Sequence, residues 1–386
     1  MSGGADARKI ARAGTGQRCP VQRDSDGTWW VRGHEAARAV LRSTETVQAG
    51  LGVQTVEKMP PQIRRPVLYR DGPEHREHRR QTAKFFTPKR VRTAYRGLMQ
   101  RVTAEQLDVL RRDGRAHLAD LSFELAIGVA AEVIGLTDSR PGIRRRLDRF
   151  FPEEFGAPGF TSLDGLRWAW RQLVNYSAIY FRDVRPAVRR RRRERRDDVI
   201  SHLLDEGCSG AEILGECITF AAAGMVTTRE FVNLAAWHLF TDPELRERYT
   251  GAAEQDRLAL LHELLRLEPV IDNLWRRTTA PVELPGAEPI PAGELVAVAL
   301  PDTNTDPEVA GADPTALCPR EAAYGLSFGD GAHKCPGANI AILETDVFLQ
   351  ELFALPVRMD SPPRVSINGA TGAYELRGLV VALDRG

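Results

Sequence analysis

Apolar positions recur at helical spacing over most of this chain and alternate in only a few short stretches. In "HEAARAVLRS" (residues 34–43) Ala36, Ala37, Val40 and Leu41 share one face, which predicts a helix; "TWWVRG" just before it reads as a short strand. Residues 50–72 carry Pro60, Pro61 and Pro66 and read as irregular. From Pro73 to about Asp113 the pattern is helical, broken at "FFTPKR", and it recurs through residues 115–205 with a Gly/Pro/Phe-rich break at 151–162. A long apolar helix is expected from about Ala211 to Leu239 and another from Asp256 to Leu267. "VELPGAEPIPAGELVAVAL" alternates turn signals with short strands, "NIAILETDVFLQELFAL" predicts a late helix, and "ELRGLVVALD" a final strand. These elements predict a mainly α chain with a small β portion: a flexible arm over residues 1–25 and one domain over 26–386.

Composition narrows the picture. With 386 residues and 42% hydrophobic content the chain can bury a sizeable core. A net charge of +1 gives no general reason to bind nucleic acid or a membrane. The strongest charge run, "RPAVRRRRRERRDD", reads as the solvated face of a helix rather than a dock for an acidic partner. Cys19, Cys208, Cys217, Cys318 and Cys335 are few and scattered, which fits a reducing cytoplasm. No apolar leader segment is evident at the N-terminus, and the longest apolar run, Ile218 to Val226 apart from Thr219, is too short to span a bilayer.

Candidate chemistry concentrates in "SFGDGAHKCPGANIAILE", residues 327–344. Here Cys335 stands at the start of a predicted helix, where the helix dipole and backbone N–H groups favour a thiolate. Gly329, Gly331 and Gly337 permit tight turns and close approach of a flat ligand. A thiolate presented alone suits an axial ligand to haem iron; zinc would need more Cys or His ligands than His333 supplies. The bland alternative is a free cysteine in a glycine-rich loop.

The pattern Phe-x-x-Gly-x-x-x-Cys-x-Gly, filled by Phe328, Gly331, Cys335 and Gly337, resembles the haem-binding loop of the cytochromes P-450, with His333 where that family has Arg or His against a haem propionate. Further segments resemble the same family. Glu-x-x-Arg occurs four times, starting at Glu35, Glu77, Glu254 and Glu263, but only "HELLRLEP" sits in an apolar helix closed by a proline. The resemblance therefore makes Glu263 and Arg266, with Arg320 of "LCPRE", a structural lock. It makes His75 and Arg79 of "DGPEHREHRR", four apart on one helical face, and Arg276 of "WRRTTAPVEL" cations for the propionates, with Arg277 a close competitor. The "DP" of "TNTDPEV" and "LRGLVVAL" extend the likeness over residues 30–384.

The resemblance implies the cytochrome P-450 fold, haem b (iron protoporphyrin IX) on Cys335, and monooxygenation: hydroxylation or epoxidation of a small or medium, secondary-metabolite-like or small-peptide substrate. It also places "AAAGMVTTRE" over the haem, where Ala223, Gly224, Thr227 and Thr228 match the oxygen-activating segment of the family's central helix. A glycine and back-bonding threonines allow a local kink with room for dioxygen. The family's acid, however, is Val226 here, and valine moves no protons. Substrate, ordered water or Glu230 one turn along would then complete the relay; otherwise the chain performs oxidative coupling, decarboxylation or peroxide-driven oxidation.

No flavin or iron–sulfur pattern appears, so electrons are expected from a separate ferredoxin and NAD(P)H-linked reductase, docking near Lys334, Arg80 and Lys84. Phe150, Phe151, Phe155, Phe160, Trp168 and Trp170 are expected to give the pocket an aromatic lining, with Asp272 and Asn273 as a polar anchor or a simple turn. From other classes, a non-catalytic haem sensor or carrier and a haem-free all-α binding module remain alternatives.

Overall fold

The computed structural model describes residues 8–9, 19–50, 52–53, 56, 64–150, 163–311, 313–317, 325–368 and 372–384, with backbone only at 148, 150, 163 and 164. The helices that position the site are α1 (His34–Arg42), α2 (Gly72–Thr82), α3 (Arg96–Asp113), α4 (Leu118–Ile134), α5 (Leu163–Ile179), α6 (Arg185–Arg193), α7 (Gly210–Phe220), α8 (Thr227–Thr241), α9 (Glu254–Leu267) and α10 (Ala338–Phe353). The first five strands are β1 (Val21–Arg23), β2 (Trp29–Val31), β3 (Thr46–Gln48), β4 (Arg115–His117) and β5 (Asn273–Thr278). They are followed by β6 (Val282–Leu284), β7 (Ala287–Ile290), β8 (Leu295–Ala299), β9 (Val357–Ser361), β10 (Arg364–Ile367), β11 (Tyr374–Arg377) and β12 (Val380–Leu383).

One sheet runs β1-β2-β8-β5-β3, with β2 and β8 parallel and its other neighbours antiparallel. It carries its own core, in which Val31, Val296 and Val298 meet Ala37, Val40 and Leu41 of α1. The apolar spacing expected for α1 is the face that seals this sheet. Strands β4-β12-β9 form a second sheet, and β10-β11 and β6-β7 are hairpins. The larger core joins α3, α4, α7, α8, α9 and α10 through residues such as Met99, Leu107, Leu125, Leu234, Leu261 and Phe348.

Two expectations change. Val21–Arg23, read as part of the loose arm, is the edge strand β1 and pairs with Trp29–Val31. The single final strand is two: Gly378, at φ +81°, turns the chain so that β11 pairs with β10 while β12 joins β9 and β4.

The central helix runs 32 residues, Gly210–Thr241, long and apolar enough by composition to cross a membrane; here α8 packs on α4, α10 and β11. Ser209 opens it with a capping box to Glu212. Between α7 and α8, residues Ala221–Val226 widen into a π-helical turn, as the glycine and threonines led us to expect of a kink. The arginine run forms α6 and is largely solvated, except that Arg191 is 1% exposed and paired with Asp198 and Asp138.

Candidate functional site

The Cys335 loop is built by backbone geometry. The Cys335 N–H donates to the Phe328 carbonyl at 2.8 Å and the Gly329 N–H to the Leu326 carbonyl at 2.7 Å, folding the loop back on itself. Gly331 has φ +66°, and a Cβ there would lie 2.3 Å from the Leu41 carbonyl oxygen, so only glycine lets the loop seat on α1. Phe328 packs against the main core, edge-on to His262 at 6.0 Å. Cys335 is exposed just before α10 begins at Ala338. Crowding by the surrounding chain pushes its thiol pKa up, while N–H groups of Gly337 and Ala338 and the charge of Arg79 pull it down.

Beside this loop lies a cluster of bases. The His75 ring stacks on His333 at 4.1 Å, and His333 Nε2 meets the Asp71 carboxylate at 2.7 Å. His75 is buried and its Nδ1 has no partner among the described residues. Burial, then the neighbouring His333, pushes its pKa down to about 4. Arg79 donates to the Lys334 carbonyl. Strand alternation separates the two competing arginines: Arg276 is buried, donating to Gln48 Oε1 at 2.5 Å, while Arg277 points outward to the Gly293 carbonyl. Desolvation pulls Arg276 down to about 10.

The described half of the expected lock is in place. Arg266 grips Glu263 through Nε and Nη2 at 3.0 Å, and both side chains are buried. The remaining arginine donors reach the carbonyls of Asn304, Pro314 and Ala316. Arg320 lies outside the described residues, as do Phe151, Phe155, Phe160 and the side chain of Phe150. Asn304, which sequence reading passed over, joins Arg266, Ser327 and Leu326 and so ties the lock to the Cys335 loop. The only available signal was its place in the "TNTDP" stretch.

On the central helix, Thr227 Oγ1 donates back to the Ala223 carbonyl at 2.7 Å, and Gly224 faces open space. Thr227 and Ala223 lie one turn apart. Thr228 is buried beside Glu344 of α10, whose pKa burial pushes up to about 8 against the opposing pull of the Thr228 hydroxyl.

Three anticipated roles fail. Glu230 is no relay acid, because its carboxylate accepts from the Leu376 N–H at 2.8 Å, Arg377 at 2.7 Å and Arg229 at 2.9 Å. Asp272 is paired with the Lys9 ammonium at 2.7 Å rather than left as an anchor. Trp170 is 68% exposed, on the outside of α5 rather than in a pocket.

An accessible thiol among amides, the buried Arg276 and half-buried Arg79 with the unpartnered imidazole nitrogen of His75, and an open, π-helical turn fit a flat, iron-bearing dianion such as haem.

Comparison with known proteins agrees. The family profile of cytochrome P450 matches residues 258–355. Cytochrome P450 130 of Mycobacterium tuberculosis is 30% identical over 302 residues, 75% of this chain and 71% of that protein. Pentalenic acid synthase of Streptomyces avermitilis is 30% identical over 349 residues, 86% of this chain and 81% of that protein. The solved structure of CYP109E1 from Bacillus megaterium with corticosterone superposes with a TM-score of 0.78 at 23% identity, covering 95% of each chain. With the fold, the loop and these relatives in agreement, the chain belongs to the cytochrome P450 family of haem-dependent monooxygenases.

Proposed function

We propose that Cys335 would hold the haem iron through its thiolate and that His75, Arg79, Arg276 and His333, which stacks on His75, would hold the haem propionates. The observation that carries this is the Cys335 loop itself: an exposed sulfur with the N–H groups of Gly337 and Ala338 aimed at it, stabilising the anion that iron needs. Haem held there supplies reductive cleavage of dioxygen, one oxygen atom entering the substrate as hydroxyl or epoxide and the other leaving as water.

This chain's residues do the rest. Asp71 orients His333, and His333 sets the plane of His75. The neutral His75 presents a buried nitrogen that becomes a hydrogen-bond partner for an anion. Glu263 and Arg266 fix the carbonyls that frame the loop. Thr227, back-bonded to Ala223, keeps its oxygen lone pairs available on the open side of the helix.

The substrate we infer is a small or medium secondary metabolite, supported by relatives such as pentalenic acid synthase. Electrons come from a ferredoxin and its NAD(P)H-linked reductase, with Lys334 the docking cation. Arg80 and Lys84, once its companions in this role, are paired with Glu77 and Asp197. Val226 favours one second reading, peroxide-driven oxidation, in which no acid beside Thr227 is required. The test is a Soret-band titration of the ferric holoprotein with terpenoid, macrolide and cyclic-peptide panels. A low-to-high-spin shift that saturates, followed by oxygenated product with ferredoxin and NAD(P)H, supports the first reading. Product with peroxide alone supports the second, and absence of a Soret band after haem supply overturns both.

A further inference from the structure

The N-terminal arm, expected to be loose, is docked at Arg8 and Lys9. The Arg8 guanidinium lies over the Trp237 ring at 4.3 Å and donates to Thr241 Oγ1 at 2.8 Å, at the C-terminal end of α8. Lys9 is only 6% exposed, which is rare for a lysine. Its Nζ donates to the Pro269 carbonyl at 2.5 Å and the Val270 carbonyl at 3.5 Å, and meets the Asp272 carboxylate at 2.7 Å. The same nitrogen sits 4.0 Å from the centre of the Tyr374 ring. The Lys9 backbone N–H donates to Glu268 Oε2 at 3.0 Å and to the Tyr374 hydroxyl at 2.7 Å. That hydroxyl in turn donates to the fully buried Glu268 at 2.6 Å. Two carbonyls, a carboxylate and an aromatic face around one nitrogen match the three N–H donors and the charge of a primary ammonium.

We infer that the turn Pro269–Asp272 and Tyr374 form a primary-ammonium site filled in cis by Lys9, a latch through which the N-terminal arm holds the chain leading into β5. Asp272 is the junction that the latch grips. Its N–H donates to the Gly372 carbonyl at 3.0 Å, and its carbonyl accepts from the Leu300 N–H at 2.8 Å, so it joins the start of β5 to the turn before β11 and the end of β8. Without the ammonium, the Asp272 carboxylate would lose its cation beside the buried Glu268, and the turn would have to shift or admit water. Strand β5 carries Arg276, four residues beyond Asp272. Lys9 is thus a positioning residue for Arg276. That link rests on the haem reading above, whereas the ammonium site does not.

The test compares the holoprotein with Lys9→Ala and with Lys9→Ala plus Asp272→Asn. Methylammonium is the probe, and sodium and tetramethylammonium at equal ionic strength are the controls. Lys9→Ala should lower the thermal midpoint and speed haem transfer to apomyoglobin by roughly threefold or more. Methylammonium should restore both, while sodium and tetramethylammonium, which lack N–H donors, should restore neither. A lysine that merely fills space would not be rescued in this order. In the double variant methylammonium should have no effect. In the parent, acetylation followed by mass spectrometry should reach Lys9 at least about tenfold more slowly than Lys84, whose side chain is 61% exposed, and this comparison needs no variant to fold. Equal labelling of the two lysines, or equal effects of the three cations on folded Lys9→Ala, overturns the inference. Unchanged haem transfer in a variant whose thermal midpoint methylammonium restores overturns the link to Arg276 alone. Absence of a Soret band in the parent overturns the haem reading instead, while the thermal midpoint still reports on the latch.

Discussion

Gly331 shows how narrowly single residues define this site. A side chain at φ +66° is strained by about 1–3 kcal/mol before any clash, and here it would also meet the Leu41 carbonyl at 2.3 Å. Gly331→Ala should therefore lower the thermal midpoint of the holoprotein and speed haem loss to apomyoglobin; unchanged release would mean that the loop does not seat as described. This part of the site was legible in the sequence, because Phe328, Gly331, Cys335 and Gly337 lie within ten residues and their spacing carries the chemistry. What stayed hidden is which residues meet across long stretches of the chain. His333 finds Asp71 across 262 positions, Asp272 is taken by Lys9, and Thr228 finds Glu344, and no local pattern announces such pairs. The choice between Arg276 and Arg277 was open for the opposite reason. Both fit the motif, and only the alternation of a paired strand buries one and exposes the other.

At the scale of elements, α9 and α2 carry titratable groups into the core by different means. Glu263 and Arg266 on α9 form a fully buried pair whose spare donors are all taken up by carbonyls. Removing one partner leaves an uncompensated charge, so Glu263→Ala should cost about 3–5 kcal/mol in urea unfolding. A cost below about 1 kcal/mol would show the pair to be dispensable. On α2, His78 is buried with neither ring nitrogen partnered among the described residues. Burial, then the charge of Arg70, pushes its pKa down to about 3. A folded-state pKa below the unfolded value near 6.5 means that the unfolded chain binds the extra proton, so stability is lost as pH falls from about 6.5 toward 3. His78→Phe should flatten the pH dependence of the melting temperature over that window; an unaltered slope would place the titration elsewhere. The helical spacing behind these elements was readable throughout, whereas short strands such as β3 and β10 were not. Three or four residues carry no period, and these strands exist only because a distant partner completes them.

For the whole molecule, the near-neutral net charge of +1 hides a local arrangement that bears on the proposed ferredoxin dock. Lys334 stands exposed one residue from Cys335, whereas Arg80 and Lys84 nearby are paired with carboxylates. Lys334→Glu should raise the ferredoxin concentration needed for half-maximal NAD(P)H-driven turnover, and should weaken its dependence on salt, while leaving the haem spectrum intact. Equal ferredoxin kinetics in the two proteins would move the docking face elsewhere. Sulfur ligation by Cys335 is tested most directly by the absorption spectrum of the reduced, carbon monoxide-bound protein beside that of Cys335→His. Thiolate ligation predicts the strongly red-shifted Soret band of a haem-thiolate in the parent and its collapse to an imidazole-type band in the variant. The same spectrum in both proteins would contradict it.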